Sequence, residues 1–215
     1  MAAKTTKMTL CVWIQSFPMP KAVVFGAHGG IGTATTEHFL TAGYTVVPVT
    51  RQLVDFAQDN SYNAVSELLM NHQPDVVVNC AGHFDRTNTE PHSTTFDVNV
   101  GSNWAIIQHY MNNVSKKPVH VVMVGSSAYS SGRKNYMLYS ASKAAVYNLW
   151  QGAGEYFLDS TVCVSLINPV RTRTAMIGTD VTGPCLEPAD VAEEILNIAS
   201  TTKNQVVDMN YSKEK

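Results

Sequence analysis

Apolar residues in this chain fall in short runs separated by longer amphipathic stretches, an alternation that is regular from residue 21 onward. Ala22-Val23-Val24-Phe25 is apolar throughout and closes on glycine, as a strand buried on both faces does. Residues 31–42 read as a helix stopped by Gly43. Residues 44–50 read as a second strand in which Pro48 marks an end or a bulge. Leu53-Val54-Asp55-Phe56 reads as a third, short strand. A helix is expected over 64–70, with Pro74 beyond it, then a strand over 75–79 and a long helix over 96–113. A strand over 119–124, a helix over 137–157 and a strand over 162–167 follow. A helix over 188–200 opens on proline, and 205–208 reads as the last strand.

Strands alternating with helices, several apolar on both faces, predict an α/β fold. It is a three-layer, doubly wound parallel sheet with helices on both sides. Without linker, repeat or low-complexity segment, residues 21–215 read as one domain preceded by an extension over 1–20. Ligands of such sheets lie beyond the carboxyl ends of the strands, so residues just after strands carry the functional weight.

Composition narrows the function classes. The formal net charge is −2 over 215 residues, which gives no basic field for nucleic acid or a membrane surface. No apolar run approaches the roughly 18 residues that span a bilayer. In the extension, Leu10-Cys11-Val12-Trp13-Ile14 is short for a signal-peptide core, and Phe17-Pro18-Met19-Pro20 lacks a small-residue cleavage site. That segment reads as an accessory strand, a tail or added sequence. Cys11, Cys80, Cys163 and Cys185 form no Cys-x-x-Cys pair, so a metal site is not expected. Reduced thiols and a cytoplasmic location are the simplest reading.

Three stretches carry chemistry. Gly26-Ala27-His28-Gly29-Gly30-Ile31-Gly32 joins the first strand to the first helix, where glycines and free helix amides accept a pyrophosphate. The spacing is Gly-x-x-x-Gly-x-Gly. His28 is either a phosphate contact or a plain loop residue. After the second strand stands Thr50-Arg51, with no carboxylate before Asp55. An arginine fork there suits a 2′-phosphate and favours NADP(H) over NAD(H). In Tyr139-Ser140-Ala141-Ser142-Lys143 one helical turn stacks a phenol and an ammonium. The cation is expected to lower the phenol's pKa and ready it for proton transfer.

Together with Asn79-Cys80-Ala81-Gly82, Asn99 and Ser126 thirteen residues before Tyr139, these stretches resemble the short-chain dehydrogenase/reductase family from about residue 21 to residue 208. The resemblance implies a Rossmann-type sheet of about seven strands and hydride transfer to or from a nicotinamide. It implies Tyr139 as acid/base, Lys143 as its modulator and a holder of the nicotinamide ribose, Ser126 orienting the substrate carbonyl, and Asn99 holding a water relay to the lysine. Asn79, Ala81 and Gly82 are implied on the adenosine side. Pro169, Val170, Thr172 and Thr174 are implied near the nicotinamide, with Val170 where glycine is usual. A homodimer or homotetramer through the two long helices, including Trp104 and Trp150, is implied as well. Only about two dozen residues separate Arg51 from Asn79, so a helix and strand usual there are shortened.

The substrate is expected to be a small molecule. Arg133, Lys134, Arg171 and Arg173 all fall near the carboxyl edge of the predicted sheet and suit a phosphate monoester, or are solvated loop charges. Residues 131–136 and 167–172 resemble reductase domains joined to cytidylyltransferases for ribitol phosphate, which reduce ribulose 5-phosphate with NADPH. Alternatives are a general carbonyl or pteridine reductase, a sugar-nucleotide reductase or epimerase, and a non-catalytic NADP(H)-sensing module.

Overall fold

The computed structural model describes residues 19–87, 89–178 and 182–211. Apart from Met19 and Pro20, the expected extension over 1–20 lies outside the described residues. Six strands build one parallel sheet: β1 (Lys21–Phe25), β2 (Thr45–Val49), β3 (Val76–Asn79), β4 (Val119–Val124), β5 (Val162–Asn168) and β6 (Val206–Asp208). Their order is β2-β1-β3-β4-β5-β6. The order reverses between β1 and β3, which opens a crevice at the carboxyl ends of those two strands.

Alternation along the strands divides the core into two layers. Val23, Phe25, Val77, Val121, Val164 and Leu166 face one side. There they meet α2 (Ser61–His72), α4 (Ser102–Asn112) and α5 (Met137–Tyr156). Ala22, Val24, Val78, Val122 and Ile167 face the other side and meet α1 (Gly30–Thr41) and α6 (Pro188–Ala199). Helix α6 opens with Pro188 and a capping box between Glu187 and Asp190, as proline at a helix start predicts.

Two expectations change. Leu53-Val54-Asp55-Phe56 is a turn, so the described sheet has six strands and not seven. Val54 and Phe56 tuck into the core while Leu53 stays in water, a burial pattern that a two-residue alternation imitates. Within the described residues β2 is therefore an edge strand, which accommodates Pro48. The long helix also starts earlier than its apolar pattern suggests. It runs as α3 (His92–Phe96), a π-helical turn (Asp97–Gly101) and then α4. The widened turn, of a kind frequent at functional sites, carries the buried Asn99.

Of the two tryptophans implied in an oligomer contact, Trp104 is 42% exposed. Trp150 instead donates its indole N–H to the Val164 carbonyl at 2.9 Å and packs on the core.

Candidate active site

The crevice is lined by two cavities that share Cys80, Ala81, Gly82 and Met176. The first, about 320 Å³, extends under the end of β2 and is lined by Gly26, His28, Gly29, Thr50, Arg51, Asp55 and Phe56. The second, about 630 Å³, lies beyond β4 and β5 and is lined by Ser126, Tyr139, Lys143, Pro169, Val170, Thr172 and Thr174. The glycine turn after β1 and the loop after β3 form the floor between them. Gly26 has φ of +70°, and a side chain there would sit 2.6 Å from the Ala81 amide nitrogen. Only glycine lets the two turns approach so closely.

Helix α1 begins just beyond this turn. Its N-cap, Gly29, offers no side-chain cap, and its first turn carries no acidic residue. The first amides of a helix have no intrahelical partner, so the helix end favours an anion. Together, the bare helix end, the glycine floor and the groove running to Tyr139 fit a dinucleotide with its pyrophosphate over α1. Ile31 lines the second cavity directly. Gly32 is buried beneath the turn, and the Thr174 methyl occupies the space where a Gly30 side chain would be, at 2.6 Å. Asn79 is fully buried and lines neither cavity. Its carboxamide accepts from the Ala81 amide at 3.1 Å and donates to Ser102 and Asn103, so it braces the floor from below.

Ser126 caps the short 3₁₀ turn after β4, its Oγ accepting from the Ala128 amide at 3.2 Å. The same hydroxyl is a hydrogen-bonding neighbour of the Tyr139 phenol. Lys143 stands one turn further along α5, only 4% exposed, with its Nζ donating to the Val124 carbonyl at 3.1 Å. That Nζ lies 5.7 Å from the Tyr139 ring centroid. Burial pushes the lysine down to about 8, against the opposing pull of Cys80.

The electrostatics differ from expectation at Tyr139. Its pKa is raised, first by burial and then by Tyr136, while the Ser126 hydrogen bond pulls the other way. The cation was expected to lower it. Here Lys143 is itself desolvated and turned toward the Val124 carbonyl, so burial dominates. The phenol is thus held as an acid at neutral pH.

Asn99 lies behind this pair and lines neither cavity. Its side chain holds the backbone of His83 at two points and donates to Ser142 Oγ at 2.9 Å; Ser142 Oγ in turn donates to the Tyr139 carbonyl at 2.8 Å. These contacts tie the Tyr139 segment to the loop after β3.

The four basic residues do not gather as one group. Arg133 and Arg171 line the second cavity, with Arg171 donating to the Thr182 carbonyl at 3.3 Å. Lys134 is exposed and away from the lining. Arg173 turns to Glu187, 2.8 Å away across the surface, because that carboxylate caps α6 beside it. Sequence reasoning missed Phe84, Tyr136, Met176, Thr182 and Tyr211, all of which line the second cavity. Phe84 stood two residues after Gly82, at a strand's carboxyl end, which was a usable signal. Tyr211, three residues after the last strand, offered the same signal.

Residues 53–183 match the family profile described as short chain dehydrogenase. The chain is 34% identical over 100 residues to the bifunctional ribulose 5-phosphate reductase/CDP-ribitol pyrophosphorylase of Haemophilus influenzae. That match covers 43% of this chain and only 21% of the relative. It is 29% identical over 188 residues to the acetoacetyl-CoA reductase of an Acinetobacter strain, covering 73% of this chain and 75% of the relative. A crystal structure of a short chain dehydrogenase family protein from Francisella tularensis superposes with a TM-score of 0.76 at 17% identity, covering 89% of this chain and 97% of that one.

Proposed function

The chain belongs to the short-chain dehydrogenase family of oxidoreductases, and from that premise we propose that it reduces the ketone of a small anionic substrate with NADPH. The observation that carries the reading is the convergence of Ser126, Tyr139 and Lys143 on one cavity that continues onto the glycine turn.

Bound at this site, the nicotinamide dinucleotide supplies the hydride. Gly26, His28, Gly29, Gly30, Ile31 and Gly32 form the turn under its pyrophosphate. Ala81 and Gly82 floor the groove, with Asn79 bracing them. Lys143, Pro169, Val170, Thr172 and Thr174 surround its nicotinamide end. Arg51 is exposed at the far end of the first cavity and suits a 2′-phosphate, which supports NADP(H) over NAD(H). Ser126 and Tyr139 hold the carbonyl oxygen. Tyr139, kept protonated by burial, donates its proton as negative charge grows on that oxygen. Lys143, its pKa pushed down to about 8, replaces the proton, and Asn99 keeps the segment in register.

The substrate end of the second cavity has Arg133 and Arg171 and, among the described residues, no carboxylate in its lining. That supports an anionic ketone, and the partial similarity to a ribulose 5-phosphate reductase supports a ketose phosphate, reduced to the corresponding alditol phosphate. We assign Lys134 and Arg173 no direct part. A homodimer or homotetramer through α4 and α5, covering Trp104, belongs to the same proposal; light scattering of the purified chain tests it.

The deciding experiment is NADPH oxidation across ketoses and ketose phosphates. Tyr139→Phe is expected to abolish turnover while NADPH still binds, and near-normal turnover would sink the assignment. Arg171→Ala is expected to harm phosphorylated ketones selectively, and equal harm to both classes would remove the phosphate part of the reading.

A further inference from the structure

Phe84 is half-buried, yet its ring belongs to neither hydrophobic cluster of the core. A phenylalanine there does nothing for the packing of the sheet. Its ring neighbours are the two tyrosines at the start of α5. It meets Tyr139 edge-on, with centroids 4.9 Å apart and planes at 73°, and Tyr136 likewise at 5.4 Å and 79°. Such tilted contacts are favoured aromatic geometry. Tyr136 and Tyr139 are themselves edge-on at 6.1 Å, so the three rings brace one another.

The loop that carries Phe84 is anchored. Asn99 holds both backbone polar atoms of His83, at 2.7 Å and 3.0 Å, which fixes the direction in which residue 84 leaves. Three residues after His83, Arg86 donates to the Met176 carbonyl at 2.8 Å and 3.1 Å and ties the loop to the far side of the groove. Between these two anchors Phe84 faces the cavity shared with Ser126, Arg133 and Arg171.

Resting on the reading of this cavity as a ketone-reducing site, we propose that Phe84 is its specificity-determining residue. Its ring narrows the substrate end to slender, flexible ketones and holds the Tyr139 ring against sideways movement. A substrate whose carbonyl bears an aryl group would have to occupy the space the Phe84 ring fills. An open-chain ketose slides past it toward the two arginines.

The test compares ribulose 5-phosphate with acetophenone in the unaltered chain and in Phe84→Ala, Phe84→Leu and Phe84→Tyr. NADPH affinity is followed by fluorescence and folding by melting temperature. Phe84→Ala is expected to shift the ratio of kcat/KM toward acetophenone by about tenfold or more, the scale on which pocket shape discriminates. It should also lower kcat for the ketose phosphate and leave NADPH affinity unchanged. Phe84→Tyr, which keeps the ring, should restore both values. An unchanged ratio in folded Phe84→Ala and Phe84→Leu overturns the inference while leaving the parent reading intact. Failure of the unaltered chain to reduce either ketone overturns both.

Discussion

Asn99 grips His83 at both backbone polar atoms: its Oδ1 accepts from the His83 amide at 2.7 Å, and its Nδ2 donates to the His83 carbonyl at 3.0 Å. The clamp sits in a π-helical turn, which sets the side chain where a regular helix would not aim it. Replacing Asn99 with alanine leaves two part-buried backbone groups of His83 unpaired. A loss of about 2–4 kcal/mol is expected, read from urea unfolding. A change below a few tenths would mean that water takes the amide's place.

Lys143 makes the fold less stable at neutral pH. Its folded pKa, about 8, lies below the ordinary lysine value of 10.5 because it is buried. The folded chain therefore binds fewer protons than the unfolded chain between those values, and stability rises with pH through that window. Below pH 8 the full penalty stands, on the order of 3 kcal/mol, partly offset by the bond to Val124. Lys143→Met is expected to raise the melting temperature at pH 7 by calorimetry, with the gain shrinking toward pH 10. A lower melting temperature at pH 7 would show that the Val124 bond outweighs desolvation.

His120 works in the opposite pH range. It is buried in the middle of the sheet, with Nδ1 against the Thr201 carbonyl at 3.1 Å and Nε2 against Ser165 Oγ at 2.8 Å. A carbonyl only accepts, so Nδ1 carries the proton and Nε2 accepts from Ser165. Burial lowers the pKa of His120, and of His109 as well. The unfolded chain binds more protons below the ordinary value of 6.5, so stability falls as pH drops beneath it. His120→Gln should reduce that slope without abolishing it, since His109 remains. Denaturant midpoints at pH 7.5 and 5.5 measure both.

Arg51 lines the first cavity together with Asp55. Arg51→Asp is expected to weaken NADPH at least tenfold more than NADH, since a charge-assisted fork is replaced by a like charge facing the 2′-phosphate. Equal weakening in fluorescence titrations would show that Arg51 does not touch that phosphate.

Arg86 fastens the loop after β3 to the segment after β5 through the Met176 carbonyl. Its guanidinium also rests on Gly178, where an added side chain would meet it at 2.7 Å. Arg86→Ala should speed amide hydrogen exchange across 174–178 and leave exchange in β4 unaltered. Slow exchange at both places would mean that Thr174 on Gly30 holds the segment by itself.

The layered sheet was legible because its strands are apolar on both faces and its helices close on glycine or open on proline. Tyr139, Lys143 and Ser126 were legible because a fixed spacing on one helix and one strand end survives any detail of packing. The four-residue run at 53–56 was misread because the buried Val54 and Phe56 alternate with less buried neighbours in a turn as they would in a strand. The split of the basic residues was hidden because it depends on Glu187, fourteen residues from Arg173, capping a helix that packs beside it. The direction of the Tyr139 shift was hidden because desolvation is a property of the assembled cavity. Phe84 and Tyr211 reach the cavity through loops whose course no periodicity records.

Pro48 has a consequence for how the chain meets its own copies. Thr45 donates to the Pro20 carbonyl, and the Val49 carbonyl accepts from Ala27, so the odd-numbered positions of β2 bond inward. The even-numbered positions present their backbone outward along the open edge. Proline at 48 removes a donor from that row, and with it one rung on which a foreign strand would zip. Among the described residues the sheet ends at β2, and proline on that margin works against strand addition.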